Sequence, residues 1–409
     1  MGEAKRTFEE QHEVLQRGVA GVIPAAGLEE RLRESASSGR PLRVKLGLDP
    51  TAAHVTLGWT VVLRKLRQFQ DLGHTAVLIV GDFTARVGDP SGRSETRKPL
   101  TAEQVEDYTS KVLDQFRLVL SGERLEIRRN SEWLAGMDMT AVLGLTARYT
   151  VARMLERDDF AKRQAAGVPI SVVEFLYPLM QGYDSVMVDA DIEVGGTDQT
   201  FNLLVGRDLQ ERYGKRPQVA LTMPLLIGLD GEKKMSQSLG NYVGITEPPG
   251  EMFGKLMSLP DRLMVDYFRL ATDLPGPEVD AITAAIEGGI LHPAQAKRRL
   301  AGEVVRMYHG AEAASEARAT FDRVHRDRAL PEDVAEFEVP DDLVQDGTVW
   351  LPRLLATAGL AASNGEARRL IAQGGVRLDN EPVAAEELPA GAVRGKVLQV
   401  GRRRFVRLR

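Results

Sequence analysis

Short apolar stretches alternate with longer segments of helical periodicity through the first half of the chain. Apolar runs of four to eight residues are typical of buried strands, whereas apolar positions repeated every three to four residues indicate helices. The pattern predicts strands at 42–48, 75–80, 124–129 and 186–193, and helices at 60–72, 104–120 and 201–213. This alternation is typical of an α/β fold with a Rossmann-like, doubly wound parallel sheet. Ligands bind such sheets at the carboxyl ends of the strands.

The pattern changes after the predicted sheet. Helical periodicity extends from 248 to 328, and residues 329–347 are acidic and contain two prolines. The last segment has predicted helices at 351–360 and 364–373, followed by predicted strands at 375–379, 397–400 and 405–408. We therefore predict a sheet domain at 1–247, a helical domain at 248–328, an acidic linker at 329–347 and a small α+β domain at 348–409.

Composition narrows the class of protein. The 409 residues include no cysteine, which excludes disulfides and thiolate chemistry, and the six histidines are too dispersed for a zinc motif. We expect no protein-bound metal. The chain begins with charged residues, and its longest apolar runs are far shorter than the roughly 20 residues that span a bilayer. We therefore expect no membrane association and a cytoplasmic location.

The net charge of −5 hides an asymmetry along the chain. Residues 348–409 contain eleven basic and five acidic side chains, a surplus of six positive charges, so the remainder carries −11. A basic tail on an acidic body favours an anionic partner such as nucleic acid. A basic surface that is merely solvated is the alternative.

Two common nucleotide-binding motifs are excluded. The segment GDPSGRS at 88–94 is one residue too short for a phosphate-binding P-loop and has Arg93 where that motif requires lysine. No G-x-G-x-x-G occurs in the chain, which argues against a dinucleotide-dependent dehydrogenase on the same type of sheet. The predicted sheet therefore serves another ligand.

Five short segments identify that ligand. They are LGLDPT at 46–51, GDFT at 81–84, GDPSG at 88–92, GGTDQ at 195–199 and KMSQS at 234–238. Their order and spacing resemble those of the bacterial tyrosyl-tRNA synthetases, and the resemblance covers nearly the whole chain. It implies a class I synthetase-like catalytic domain at 1–247, an α-helical anticodon-type domain and an S4-like RNA-binding domain. It also implies L-tyrosine, ATP with Mg²⁺ and tRNA as substrates, and a homodimer.

Three polar side chains of one predicted helix form the core of a tyrosine pocket. Tyr177, Gln181 and Asp184 lie four and seven residues apart, so they share one helix face. The resemblance implies that Asp184 accepts a hydrogen bond from the substrate phenol and that the first two residues, with Asp89, hold the ammonium group. Two further residues would line the pocket, Asn130 and Gln199. The alternative is that Tyr177 and Gln181 are packing residues.

The segment 56–59 departs from the family pattern. The family carries His-x-Gly-His here, and its two imidazoles meet the ATP phosphates and ribose as charge develops in the transition state. This chain has Thr56, Leu57, Gly58 and Trp59 instead. The glycine retains the space that a nucleotide needs against the helix backbone. The indole of Trp59, by contrast, is expected to narrow the site.

The segment 234–238 also departs from the family pattern and likewise lacks a group that would contact ATP. It keeps Lys234 but has Gln237 in place of a second lysine, and a glutamine brings no charge to a phosphate. The resemblance assigns catalytic positions to Thr51, Thr56, Trp59, Lys234 and Gln237. Weakened or lost activation of tyrosine by ATP is the expected result, unless Thr51, Thr56, His54 and Lys233 compensate within an altered loop.

The adenosine-facing positions of the family are intact. The resemblance assigns ATP binding to Gly47, Asp49, Gly58, Gly196, Asp198, Leu225, Leu226 and Lys234. In this assignment the two aspartates meet the amino group and the ribose hydroxyls, and the two leucines form the adenine wall. Asp49 precedes a proline, so a role as a turn former is the alternative for it.

Arginines dominate the S4-like tail. Arg353, Arg368, Arg369 and Arg377 lie in the predicted helix pair and its exit, and residues 402–404 are three further arginines before the last strand. Guanidinium groups suit phosphates and base edges of structured RNA. We predict that this region binds tRNA, with a solvated cap as the alternative.

Three functional hypotheses remain open from the sequence. The first is a tyrosine–tRNA ligase that forms tyrosyl-adenylate and transfers the tyrosyl group to tRNA. The second is a diverged paralogue that binds tyrosine or tRNA without forming an adenylate and acts as a sensor or regulator. The third is a transferase that uses a preactivated donor in the tyrosine pocket. Trp59 and the missing histidines favour the last two, whereas Gly196, Asp198 and Lys234 favour the ligase.

Overall fold

The computed structural model describes residues 7–89, 100–325, 334–345, 347–379, 381–401 and 404–409, and it leaves out the side chains of 324, 325 and 341. The chain divides into two units, residues 1–314 and 315–409. Two predicted features fall partly outside these ranges. Most of the GDPSG segment at 88–92 is not described, and neither are residues 402–403, which precede the predicted strand at 405–408.

Six strands of the described residues form the sheet of the first unit. They are β1 (Gly21–Ile23), β2 (Arg43–Leu48), β3 (Thr75–Val80), β4 (Leu125–Arg129), β5 (Ile192–Gly196) and β6 (Val219–Met223). Their order across the sheet is β1-β6-β5-β2-β3-β4. All neighbours are parallel except β1, which is antiparallel to β6. The carboxyl ends of the five parallel strands therefore lie at one edge.

Helices connect and cover these strands. They are α1 (Phe8–Gln16), α2 (Gly27–Ser38), α3 (Leu57–Asp71), α4 (Thr84–Val87), α5 (Ala102–Phe116), α6 (Ser131–Leu134), α7 (Met139–Thr146), α8 (Val151–Met154), α9 (Asp158–Ala165), α10 (Val172–Met187), α11 (Thr200–Arg212), α12 (Pro249–Met257), α13 (Met264–Ala271), α14 (Gly276–Glu287) and α15 (Pro293–His325). The last of these breaks at Gly310, whose φ of 88° is not helical. The described residues also contain four short 3-10 turns, at Thr197–Gln199, Gln237–Leu239, Asp261–Leu263 and Asp341–Leu343.

The α/β class with a doubly wound parallel sheet is confirmed, with one strand placed wrongly. Residues 186 and 187 continue α10, and β5 begins only at Ile192. The apolar run that suggested a strand at 186–193 is the buried last turn of a helix joined to a strand, which periodicity alone does not separate. The sequence prediction also missed β1 and β6.

Local sequence explains where two of the helices begin. Thr101 starts α5 through a capping box in which its hydroxyl accepts from the backbone of Gln104 and the glutamine side chain accepts in return. Ser171 and Glu174 start α10 in the same way. On α3 the buried face includes Leu57, and the helix packs on the sheet through apolar side chains at helical spacing: Val61, Leu66 and Phe69.

The second unit has its own core. Its strands are β7 (Glu336–Phe337), β8 (Val344–Gln345), β9 (Thr348–Trp350), β10 (Val376–Leu378), β11 (Glu381–Pro382), β12 (Glu387–Pro389), β13 (Val397–Val400) and β14 (Arg404–Leu408), and its helices are α16 (Leu351–Thr357), α17 (Asn364–Ala372) and α18 (Ala390–Val393). The strands form sheets in the orders β11-β10-β13-β14-β7 and β12-β9-β8. Part of the segment predicted as an acidic linker thus forms β7 and β8. The core contains Leu351, Leu354, Ile371 and Leu398.

Two features are absent from the described residues. No helix in these ranges is long and apolar enough to cross a membrane. In the same ranges, no group of three or more histidine or acidic side chains is arranged to hold a metal ion.

Candidate active site

A cavity of about 570 Å³ opens at the carboxyl edge of the first unit's sheet. Its walls come from the ends of β2 and β5, the first turns of α3, the middle of α10 and the segment 224–238. The cavity brings together the following predicted site residues: Gly47, Asp49, Thr51, Thr56, Gly58, Trp59, Asp89, Tyr177, Gln181, Asp184, Gly196, Asp198, Gln199, Leu225, Leu226, Lys234 and Gln237. Asn130 lies behind this wall and contacts it through Asp184. The predicted RNA-binding arginines belong to the second unit.

The side chain of Asp184 is held by two donors. Trp133 Nε1 donates to one carboxylate oxygen at 2.9 Å, and Asn130 Nδ2 donates to the other at 3.4 Å. Burial raises the pKa of Asp184 to about 7, against the opposing effect of the Lys45 ammonium and of the two donors. Asp184 therefore faces the cavity as an acceptor that can take a proton near neutral pH.

Tyr177 and Asp49 form a second hydrogen-bonded group in the cavity wall. The Tyr177 hydroxyl donates to Asp49 Oδ2 at 2.9 Å, and Thr84 Oγ1 donates to Asp49 Oδ1 at 2.7 Å. Burial, together with the carboxylates of Asp49 and Asp89, raises the pKa of Tyr177 well above its usual value, so the phenol stays protonated. A Cβ on Gly81 would lie 2.0 Å from Asp49 Oδ1, so only glycine fits beside this carboxylate.

A buried network supports the pocket from below, and the sequence prediction missed it. Lys45 Nζ donates to Glu193 Oε1 at 2.8 Å, to Ser185 Oγ at 2.8 Å and to the Gln181 carbonyl at 2.9 Å. Gln218 Nε2 donates to the other oxygen of Glu193. The ion pair is almost fully shielded from solvent, at 0% and 1% exposure. A lysine inside the apolar run of β2 was the available signal, because charged residues are rarely buried unless they are paired.

Arg157 is a second residue that the sequence prediction missed. Its side chain is 6% exposed, and its guanidinium lies 3.9 Å from Asp89 Oδ1 and 3.4 Å from Asn202 Oδ1. Asn202 Nδ2 donates to the side-chain oxygens of both Gln181 and Gln199, and Gln199 Nε2 donates to Asp89 Oδ2 at 2.9 Å. Arg157 therefore fixes the amides and the carboxylate that the prediction assigns to the substrate ammonium. No local sequence pattern connects Arg157 with Asp89 or Gln199, so this role could not be predicted from the sequence.

The start of α3 carries the residues that replace the family's histidines. Thr56 precedes the helix, is buried, and makes no helix-capping bond. Its Oγ1 is a buried hydroxyl that finds no hydrogen-bond partner within the described ranges. Trp59 lies on the cavity wall with its ring centroid 6.3 Å from that of Phe116. The indole thus packs on a neighbouring ring and forms part of the cavity wall, whereas the predicted narrowing of the site stays a prediction.

The segment 234–238 packs directly on this helix start. Gly58 donates its backbone N–H to Met235 Sδ at 3.2 Å, and Gln237 Nε2 donates to the His54 carbonyl. A Cβ on Gly58 would lie 3.3 Å from the Met235 Cβ, so the glycine makes room here for the methionine. The Gln237 side chain thus donates to the protein backbone. Lys234 provides the positive charge of the segment 234–238 at the cavity. Lys233 does not line the cavity.

The positions that the family resemblance assigns to adenosine also line the cavity. Lys234 Nζ forms an ion pair with Asp198 Oδ2 at 2.7 Å. A Cβ on Gly196 would lie 2.8 Å from Leu225 Cδ2, so the absence of a side chain keeps this surface open. Leu226 is buried. A flat, partly apolar surface beside a carboxylate is suited to a nucleoside.

The four arginines predicted to bind RNA all lie in the second unit, and they differ in their ion pairs and exposure. Arg353 pairs with Asp342 at 3.2 Å, and Arg368 pairs with Glu386 at 2.8 Å. The Arg368 guanidinium also lies 5.6 Å from the Trp350 ring centroid. Arg369 is exposed on α17, and Arg377 is half-buried on β10. Residues 402 and 403 lie outside the described residues.

Known protein families and sequence relatives identify the class of protein to which this fold and cavity belong. The model of the class I tRNA synthetases for tryptophan and tyrosine matches residues 37–326, and an S4 domain matches residues 349–388. A tyrosine–tRNA ligase of Moorella thermoacetica is 53% identical over 97% of this chain and 95% of its own length. One of Geobacter sulfurreducens is 50% identical over 98% of each chain. The chain belongs to the tyrosyl-tRNA synthetase family.

Solved structures show the same fold at lower identity. A truncated mitochondrial tyrosyl-tRNA synthetase of Aspergillus nidulans superposes with a TM-score of 0.64 at 22% identity, over 78% of this chain and 94% of that one. The tyrosyl-tRNA synthetase of Archaeoglobus fulgidus, solved with L-tyrosine, gives 0.61 at 23% identity, over 76% and 100%. At this identity the likeness concerns the fold alone.

Proposed function

We propose that the protein is a tyrosine–tRNA ligase. The observation that carries the proposal is the set of carboxylates that line the cavity, namely the buried Asp184, which accepts from Trp133, and Asp49 and Asp89. Asp184 suits a phenol, and Asp49 and Asp89 suit an ammonium group. Relatives of about 50% identity over nearly their full length are tyrosine–tRNA ligases, which supports the same reaction here.

The reaction has two steps. The tyrosine carboxylate attacks the α-phosphorus of ATP and forms tyrosyl-adenylate, while the bond to pyrophosphate breaks. A terminal ribose hydroxyl of tRNA then attacks the tyrosyl carbonyl and AMP leaves. Neither step needs a side-chain nucleophile, so the protein acts by positioning the reactants and by stabilising charge.

The residues have distinct roles in this scheme. Tyr177, Gln181 and Asp89 orient the ammonium, and with it the attacking carboxylate. Lys234 supplies positive charge to the phosphates, and Thr56 lies at the start of α3, where the family's first histidine meets the nucleotide. We further propose that ATP enters with Mg²⁺, which neutralises the phosphates of the nucleotide.

Exchange of labelled pyrophosphate into ATP tests the first step. We expect exchange that depends on tyrosine and is not supported by phenylalanine. Tyrosine binding without exchange would contradict the ligase and favour the paralogue that forms no adenylate. Transfer to tRNA from a supplied tyrosyl donor, again without exchange, would favour the transferase.

The second unit is proposed to bind tRNA. Its arginines Arg353, Arg368, Arg369 and Arg377 and its surplus of positive charge support this assignment. Removal of residues 348–409 should weaken tRNA binding and leave tyrosine binding unchanged. Binding by the full chain should fall steeply with salt, because phosphate contacts release counterions. Unchanged affinity for tRNA after the truncation would refute the assignment.

Exposed apolar side chains of the first unit bear on its assembly. Met139, Leu143, Val151 and Val172 are all more than half exposed, and they cluster in the segment that contains α7, α8 and the start of α10. Exposed apolar groups of this kind mark interaction surfaces. We propose a homodimer through this segment, acting in the cytoplasm, where tRNA is charged.

A further inference from the structure

Lys234 reaches the active-site cavity from a tight turn of the chain, residues 226–241, which we name the lysine segment. Ile227 and Lys234 form an antiparallel bridge across the turn, and Gly228 N–H donates to the Lys233 carbonyl at 2.8 Å. After Lys234 the chain packs on the start of α3. The place of the Lys234 side chain therefore depends on what fixes this turn.

Two side chains from the helical region after the sheet fix the first half of the lysine segment. The Tyr267 hydroxyl donates to the Ile227 carbonyl at 2.6 Å, and Tyr267 is fully buried. Arg262 Nη2 donates to the Gly231 carbonyl at 2.6 Å, and a Cβ on Gly231 would lie 2.7 Å from the same nitrogen. Both contacts lie before Lys234 in the chain, so the second half of the segment is fixed by other groups.

The side chain of Asn241 joins the two halves. Its Nδ2 donates to Asp230 Oδ2 at 2.8 Å, to the Lys234 carbonyl at 3.2 Å and to the Lys233 carbonyl at 3.4 Å. Its Oδ1 accepts from the Ser236 N–H at 2.9 Å. One amide thus bonds to the backbone on both sides of Lys234 and to the anchored half of the segment.

The rest of the turn is built closely around this amide. Asn241 is 5% exposed, and a Cβ on Gly228 would lie 2.3 Å from its Nδ2, so only glycine fits beside it. Asp230 Oδ1 accepts from the backbone N–H groups of Glu232 and Lys233, at 3.0 and 3.1 Å. An amide side chain has both donors and an acceptor, and Asn241 uses both kinds within the segment. It does not line the cavity, so its effect on a substrate passes through other residues.

The Lys234 side chain itself is weakly restrained. Its ammonium pairs with Asp198 Oδ2 at 2.7 Å, but the lysine side chain is 46% exposed. Exposed ion pairs contribute little, because water screens them and because two mobile side chains must be ordered. The hydrogen bonds of the buried Asn241 amide are not screened in this way. The backbone, rather than the ion pair, therefore sets where the ammonium lies.

We propose that Asn241 is the positioning residue of Lys234. It fixes the backbone on both sides of the lysine, so that the ammonium is in place for the nucleotide phosphates before charge develops on them. A misplacement of about 1 Å at a reacting group can cost about 10² in rate, so a residue outside the cavity can matter this much. The effect on catalysis rests on the ligase reaction proposed above, whereas the restraint on the backbone does not.

A pair of substitutions tests the hydrogen bond between Asn241 and Asp230. Asn241→Asp keeps the shape and the acceptor for Ser236 but loses the donor, and it puts a second carboxylate beside Asp230. We expect the kcat of pyrophosphate exchange to fall about 10²-fold and the KM for tyrosine to stay level, because the tyrosine pocket is unchanged. Adding Asp230→Asn supplies the donor from the other side, so the double variant should regain much of the lost rate. A change that only harms the fold would not be rescued in this way.

A second comparison asks whether Asn241 acts through Lys234. Lys234→Met removes the ammonium and should lower exchange by itself. In that background Asn241→Asp should have little further effect, since groups that act as a unit are not additive. Two losses that multiply in full would overturn the proposal.

Limited digestion with trypsin tests the restraint without any reaction. Trypsin cleaves after Lys233 and Lys234 when the turn opens, so the cleavage rate reports the open population. Asn241→Asp should be cleaved there about tenfold faster than wild type, the effect expected for one lost hydrogen bond, and the double variant should be slower again. Asn364→Asp, at an exposed position of α17 in the second unit, is the matched control and should change neither this cleavage nor exchange.

The two assays separate this proposal from the ligase itself. Absence of exchange in wild type would contradict the ligase, and the cleavage rates would then decide on Asn241 alone. Equal cleavage of wild type and Asn241→Asp would overturn the role of Asn241. A double variant no better than Asn241→Asp in either assay would overturn it as well.

Discussion

The proposed tyrosine side and the proposed nucleotide side of the active-site cavity are built differently. On the tyrosine side, buried polar groups satisfy one another, as Lys45, Glu193 and Ser185 do beneath Gln181. On the nucleotide side, the Thr56 hydroxyl has no hydrogen-bond partner among the residues that the structure describes, and Gln237 donates to the backbone carbonyl of His54. A satisfied buried network makes each member costly to change, whereas groups that await a ligand can change with little effect on folding. Sequence departures from the family fall on the second side, as this difference predicts.

The largest expected effect comes from breaking the buried pair on the tyrosine side. Lys45→Met leaves the Glu193 carboxylate in the interior without its cation, and loss of one partner of a buried pair costs about 3–5 kcal/mol. Urea unfolding followed by circular dichroism measures the change in the free energy of unfolding. Lys111→Met removes an exposed pair with Asp107 and should cost less than about 1 kcal/mol.

A double variant sharpens the same test. Lys45→Met with Glu193→Met removes both charges, so it should recover part of the lost stability, because an apolar pair often replaces a buried ion pair at small cost. Equal destabilisation by Lys45→Met and Lys111→Met would mean that the network beneath the pocket is not a stabilising unit.

The next effect concerns the nucleotide side and is measured in rate. Two imidazole donors and one ammonium of the family pattern are replaced by Thr56, Trp59 and Gln237. Loss of one positioned donor typically lowers a rate by 10² to 10³, so we expect pyrophosphate exchange at least about 10² below that of a relative with all three groups. The triple change Thr56→His, Trp59→His and Gln237→Lys should raise the exchange rate, by more than the product of the single effects, because the groups act on one transition state.

Full exchange activity in wild type, lowered by the triple change, would contradict this expectation. The nucleotide side would then work with its own residues, and the cavity wall formed by Trp59 and Phe116 would be part of the ATP site. Unfolding measurements on the same variants are the control, because Thr56→His adds a ring at a buried position and Trp59→His removes the contact with Phe116. Exchange rates are compared only among variants that are folded at the assay temperature.

The features of the cavity that depend on local spacing along the chain were predictable from the sequence. The helix face of Tyr177, Gln181 and Asp184 follows from helical periodicity, and β2 and β3 follow from apolar runs, so these were predictable. Trp133 and Arg157 reach the pocket from α6 and the residue before α9, and no local pattern connects them with Asp184 or Asp89. Such partners are fixed by tertiary packing alone.

The missed strands have a physical reason as well. β1 has three residues and lies at the sheet edge, where too few side chains are buried to give a periodic signal. β6 is buried along its whole length, so its five residues show no alternation, and they resemble the interior of a helix equally well. Lys45 was visible as a charge inside an apolar strand, but its partner on β5 was not.

A smaller effect is expected from pH on the tyrosine side. Burial raises the pKa of Asp184 to about 7, so its carboxylate is mostly protonated at pH 6 and mostly ionised at pH 8. A phenol donates best to the ionised form, so the affinity for tyrosine should rise up to about tenfold over that interval. Affinity for phenylalanine, which lacks the hydroxyl, should stay level, and Asp184→Asn should flatten the tyrosine profile.

Binding is the better readout here than stability. Because the folded-state pKa of Asp184 is raised, its contribution to stability is present at low pH and is lost as pH rises from about 4 through about 7. The lowered pKa of Lys65, about 7, acts in the opposite direction, since its contribution to stability is regained as pH rises above that value. A pH-independent affinity for tyrosine in wild type would refute the role of Asp184 as the phenol's acceptor.

The smallest effect on the fold is expected at Thr56, and it separates the two sides most directly. Thr56→Val keeps the shape of the side chain but removes the hydroxyl, which is buried and has no partner among the described residues. Because an unsatisfied buried group costs free energy, the free energy of unfolding should stay level or rise by about 1 kcal/mol. If the hydroxyl serves the ATP phosphates, the same variant should lower pyrophosphate exchange about tenfold while its affinity for tyrosine is unchanged.

Thr60→Val, one turn further along α3, is the matched control. The Thr60 hydroxyl donates to the Leu57 carbonyl at 2.9 Å, so this change should cost about 1 kcal/mol of stability. A Thr56→Val protein that is destabilised as much as Thr60→Val and exchanges pyrophosphate at the wild-type rate would show that Thr56 is a structural residue, and the contrast between the two sides would then not extend to the start of α3.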